Sequence, residues 1–248
     1  MEFLSFSKGI LTDPEPQFRK LFNGDLKPGT SIIIYIFYIF ANAFFLTAKP
    51  TDFPAEFAQF GLEEKSWAFY FFVEICWGTA LTVAVSALML HFLRIFRAGK
   101  LFIKIPAWTL GMLACAGTAY YAKTAPFSLL LSIGAFFFIA VIIRREQMVY
   151  WRFFQAALAL NLITVVVLPL EFAAVYLRSE NLFLAAEMIA GLWILVLFTK
   201  LAKIFTGTSV PKAVISLGAG SLAGLLLLYL LYGAGVIPKE IYKALLIL

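Results

Sequence analysis

From Trp67 the chain reads WAFYFFVEICWGTALTVAVSALMLHFLRIFRAGK: an aromatic start, one carboxylate at Glu74, sixteen uncharged residues before His91, and then Arg94, Arg97 and Lys100. At about 1.5 Å per helical residue, Trp67 to Phe96 exceeds the roughly 30 Å of bilayer hydrocarbon. Such a helix spans a membrane with a tilt. Lys and Arg collect at the cytoplasmic ends of membrane helices, so the basic end is expected in the cytoplasm. That assignment sets the direction of every other segment.

Six further apolar segments surround it: Ser31 to Ala48, Ile105 to Ala122, Phe127 to Ile143, Tyr150 to Leu177, Leu182 to Thr199 and Ala213 to Tyr232. None alternates with period two, and several exceed the roughly ten residues of a barrel strand. The expected fold is all-α, a polytopic transmembrane helical bundle of about seven spans over 31–233. An amphipathic N-terminal segment, 1–30, precedes it and a short C-terminal tail, 234–248, follows. The third and fourth segments are short and joined by AKTAP, so five spans plus a short hairpin is the alternative. Pro106 and Pro126 are expected to open those two helices, and Pro169 to kink the fifth.

Only 14% of residues are charged and 62% are hydrophobic, against about 25% charged in a soluble domain. No room remains for a soluble catalytic domain beyond the first thirty residues. The net charge of +6 is dispersed at segment ends, which points to topology and anionic headgroups and away from nucleic acid. With the N-terminus inside, fourteen Lys and Arg fall on the cytoplasmic side and six (Lys49, Lys65, Lys123, Arg178, Lys239, Lys243) on the other. Cys76 and Cys115 lie inside spans and form neither a disulfide framework nor a metal spacing.

The first thirty residues read as amphipathic and unlike a signal peptide. In TDPEPQFRKLF, Asp13 and Pro14 open a helix that places Phe18, Leu21 and Phe22 on one face. Two uses fit: lying on the cytoplasmic membrane surface, or packing against the protein's own loops.

Ionisable residues inside a membrane are costly and mark candidate sites. Glu74, Glu171 and Glu187 each fall roughly 9 to 10 Å below the same end of the bundle. Three carboxylates at one depth could hold a proton or cation, which makes a small transporter or permease around the Pro169 kink the alternative function, provided that all three converge on one cavity. Otherwise each is wet, or pairs with Lys65 or Arg178. His91 lacks companion ligands and reads as an interfacial polar residue, while Asn42 and Asn161 are expected to bond across helices. Ser216, Gly220 and Gly224 form a small-residue stripe for helix packing. Arg94, Arg97, Lys100, Lys104, Arg144 and Arg145 form a candidate cytoplasmic basic surface. No phosphate-binding glycine loop, HExxH, GxSxG or acidic metal pair is present, so the chain reads as non-enzymatic, without cofactor or metal.

GILTDPEPQFRKLF before the first span, TGTSVPKAVISLGAG opening the last, and HFLRIFRAGK, LITVVVLPLEF and GLWILVLFTKLAKIF between them resemble the Yip-domain family of multispanning proteins. That family typically has five spans, so Leu101 to Arg145 stands as an inserted hairpin, and the DLYGP-type segment of eukaryotic members is absent. Rab binding is therefore not carried over. The resemblance implies a non-enzymatic protein of a prokaryotic inner membrane acting through lipids, a membrane-protein partner or its own oligomer.

Overall fold

The computed structural model describes residues 2–55, 64–98, 101–122 and 125–247. Its helices are α1 (Glu2–Thr12), α2 (Pro14–Asn23), α3 (Pro28–Ala48), α4 (Trp67–Arg97), α5 (Leu101–Ala122), α6 (Ala125–Arg145), α7 (Gln147–Tyr176), α8 (Glu180–Thr206), α9 (Val210–Gly233) and α10 (Lys239–Ile247). Among the described residues there is no strand. Among the described residues seven helices, α3 to α9, are long and apolar enough to cross a membrane. The architecture is an all-α polytopic bundle.

The helices outrun the apolar segments at the basic end. α8 continues past Lys200 and Lys203 to Thr206, and α7 starts five residues before Arg152. Hydropathy ends where charge begins, but Lys and Arg are good helix formers whose long stems lie along apolar surface. Pro106 does not open α5, which starts at Leu101; it lies inside the helix. Lys104, one turn into α5, folds back and donates to the carbonyls of Ile95 (2.6 Å) and Ala98 near the end of α4.

α7 is the hub, packing against α3, α8, α4 and α2. α9 lies along α4 through Ser216, Gly220 and Gly224, all buried. A Cβ on Gly220 would lie 2.5 Å from Met89 Cγ, and one on Gly224 2.5 Å from Val85 Cγ2. The stripe therefore lets two helices of the same chain approach closely. The α5–α6 hairpin sits at the periphery, and no described side chain of α5 is buried.

Phe6, Ile10, Phe18 and Leu21 of α1 and α2 are buried. α2 packs on α7 and α8, with the Phe22 ring edge-on to Phe205 at 5.2 Å and the Arg152 guanidinium donating to the Phe22 carbonyl. Of the two uses open to the N-terminal segment, packing within the protein is the one observed. The C-terminal tail is largely helical: α10 packs beside Val73–Gly78 of α4, burying Ala244 and Leu245, and Tyr242 stacks on Tyr232 at 4.4 Å.

Candidate intramembrane polar site

Ser66 caps α4, its hydroxyl accepting from the Phe69 amide at 3.4 Å. The helix is α-helical over Trp67–Phe72, widens into a π turn over Val73–Gly78 and resumes as α from Thr79. The Thr79 amide accordingly reaches back to the Glu74 carbonyl. Single π turns inserted in α-helices are frequent at functional sites, because the extra residue re-aims a side chain. The re-aimed residue here is Glu74.

Glu74 is 3% exposed. Its Oε1 accepts from the Tyr38 hydroxyl at 2.9 Å and from Asn42 Nδ2 at 3.1 Å. Tyr38 and Asn42 are four residues apart on α3 and so share a face, and Asn42 also donates to the Tyr38 oxygen at 3.3 Å. The Tyr35 ring stacks on Tyr38, and the Tyr35 oxygen accepts from Thr79 at 3.3 Å. Oε2 occupies the space a side chain at position 78 would need: a Cβ on Gly78 would overlap it.

Glu171, on α7 two residues beyond Pro169, is also buried, at 5% exposed. It lies within electrostatic reach of Tyr38, Lys49 and Glu187. Glu187 lies on an exposed face of α8. The three carboxylates thus form no single cluster. Glu74 and Glu171 are both buried, but Glu74 is held by Tyr38 and Asn42 whereas Glu171 feels Glu187 and Lys49. Among the described residues no three His, Cys, Asp or Glu side chains converge as a metal set.

Lys49 follows directly on α3, its ammonium 6.0 Å from the Phe183 ring centroid. Burial pulls its pKa down to about 8, with Glu187 and Glu171 opposing the shift. Between about pH 8 and the ordinary value of 10.5 the unfolded chain binds this proton and the folded chain does not, so stability rises with pH across that window. Thermal unfolding in detergent is expected to show wild type gaining on Lys49→Met by up to about 1.4 kcal/mol per pH unit above pH 8. A difference that is flat with pH would contradict it.

A cavity of about 340 Å³ opens at this end, lined among others by Lys49, Thr51, Glu64, Lys65 and Tyr70. Its lining residues Tyr70 and Leu46 lie one helical turn from Glu74 and Asn42. At the opposite end the expected basic surface is partly consumed. Arg94 pairs with Glu146, Lys104 holds the end of α4, and Lys212 donates to the Arg97 carbonyl at 2.8 Å. Arg97, Arg144 and Arg145 are exposed, and Lys100 lies outside the described residues. His91 is set in aromatic rings, 4.9 Å from Phe138 and 5.9 Å from Trp108 by centroid. Asn42 bonds across to Glu74, whereas Asn161 bonds back to Leu158 of its own helix at 3.1 Å.

Sequence reasoning singled out Glu74 and Asn42 but not Tyr38 or Lys49. Their signal was present as the Tyr38/Asn42 spacing and as a lysine directly after an apolar helix. Fold and site together define a polytopic membrane protein with a buried carboxylate held by a tyrosine and an asparagine. No family model, no curated protein and no solved structure matches the chain.

Proposed function

We propose that this protein is a small transporter or permease whose membrane-embedded site binds a proton or a small cation at Glu74. One observation carries the reading: a carboxylate 3% exposed within an apolar bundle, hydrogen-bonded by Tyr38 and Asn42. An ionised carboxylate buried this way is costly unless a proton or cation joins it. The site is therefore complete only with a positive partner. Lys49 supplies a tethered cation within electrostatic reach of Glu187 and Glu171, and the cavity at Lys49 and Tyr70 opens about one helical turn from Glu74. With the arginine-rich end taken as cytoplasmic, that cavity opens outward from a prokaryotic inner membrane. The function is binding and translocation without catalysis.

The Yip-type scaffold reading draws on the resemblance and on an amphipathic N-terminus and basic loops that face the cytoplasm and engage anionic lipid or a partner. Phe6, Ile10, Phe18 and Leu21 are buried inside the bundle, which removes the N-terminal part of that support and leaves the basic residues Arg97, Arg144 and Arg145. The test is flux in proteoliposomes carrying an internal pH dye, driven by proton or sodium gradients. Wild type is expected to move protons or to exchange them for sodium, and Glu74→Gln to lose at least about tenfold, or about 1.4 kcal/mol, with its melting temperature unchanged or higher. Equal flux in the two proteins, or no flux above empty liposomes, would sink the proposal.

A further inference from the structure

Between the α5–α6 hairpin and the α4–α9 pair lies a cleft of about 470 Å³, lined among others by Phe92, Trp108, Gly111, Cys115, Gly134 and Leu227. None of its lining residues belongs to the carboxylate site. The lining is almost wholly hydrocarbon, so it offers water too few partners to hold it. It exists because α5 stands off from the bundle, with no described side chain buried.

We propose that this cleft is a binding site for one acyl chain of an anionic phospholipid whose phosphate sits at Arg144 and Arg145. Hydrocarbon is the solvent at this depth, and an acyl chain matches the lining. Charge complementarity selects the headgroup. Along α6 the lining runs from Leu130 to Ile139, and Arg144 and Arg145 follow five and six residues later, about 8 Å on. Both are exposed, as is Arg97, five residues beyond Phe92 on the facing helix. Arg145 lies within electrostatic reach of His91, whose ring meets Trp108 and Phe138 at that end of the cleft. A phosphate there takes charge-assisted hydrogen bonds from guanidinium while its chain descends between α5 and α6.

Gly111 and Gly134 provide a test that leaves the fold intact. A Cβ at either meets nothing within 4 Å, and replacing a helical glycine raises helix propensity. Protein purified in mild detergent is incubated with dioleoyl phosphatidylglycerol or dioleoyl phosphatidylcholine, and bound lipid is counted by native mass spectrometry. Wild type is expected to retain phosphatidylglycerol in preference. The Gly111→Leu/Gly134→Leu protein should lose most of it, and Arg144→Gln/Arg145→Gln should lose the preference for phosphatidylglycerol. In wild type, brominated-chain phosphatidylglycerol should quench indole fluorescence, and Trp108→Phe should remove that component. Equal retention by the leucine variant, equal binding of the two lipids to wild type, or quenching indifferent to Trp108 would overturn the proposal. So would a dimer lost in the leucine variant with its lipid unchanged, since that assigns the cleft to a second copy.

Discussion

Gly220→Val is expected to cost about 3 kcal/mol of stability, and Gly218→Val next to nothing. At Gly220 the added Cβ would lie 3.2 Å from Met89 Cα and 3.3 Å from its amide nitrogen, as well as 2.5 Å from its Cγ. A side-chain tip can swing away; a backbone cannot without carrying α4 with it. Overpacking a close contact costs about 1–3 kcal/mol, and between membrane helices close van der Waals approach is the main attraction to be lost. Gly218, on another face of α9, meets nothing within 4 Å and serves as the control. Reversible unfolding in mixed micelles gives the comparison. Equal losses at the two positions would mean that the α4–α9 contact does not govern the effect.

Glu74→Ala is expected to destabilise by about 2–3 kcal/mol, while Glu74→Gln stays within about 1 kcal/mol of wild type. Alanine removes the acceptor that Tyr38 and Asn42 share, leaving buried donors with only each other. Each buried donor left unsatisfied costs about 1–3 kcal/mol. Glutamine keeps an oxygen at the same place and removes the penalty of a buried charge. The contrast separates the carboxylate's structural part, which glutamine can play, from ion binding, which it cannot. Should alanine prove as stable as glutamine, the Tyr38 and Asn42 bonds contribute nothing and the site is looser than its distances imply.

The spans were legible because a membrane helix must be apolar along its whole length, and a linear sequence records length well. Counting residues along the spans set an expected common depth for Glu74, Glu171 and Glu187. Facing was not legible. Each residue turns about 100° around a helix axis, so equal depth leaves Glu187 on an exposed face while Glu171 is buried. The π turn at Glu74 adds a local change of phase that no regular periodicity contains. The nine-residue α10 was too short to stand out from a tail, and its burial depends on meeting α4. Lys104 and Arg94 read as surface charge because nothing in the sequence shows that a carbonyl or Glu146 lies within reach.

The π turn divides α4 into two parts with different freedoms. From Thr79 onward the helix is locked against α9 by the approach of Met89 and Val85 to Gly220 and Gly224. A π turn holds one residue more than the α turn it replaces, so migration of that residue toward Trp67 turns each residue it passes by about 100° about the helix axis while the part beyond Thr79 stays still. Such a shift needs no proline hinge and no bending of the bundle. In mechanical terms α4 is a fixed shaft with a steerable tip, and Glu74 stands at the joint.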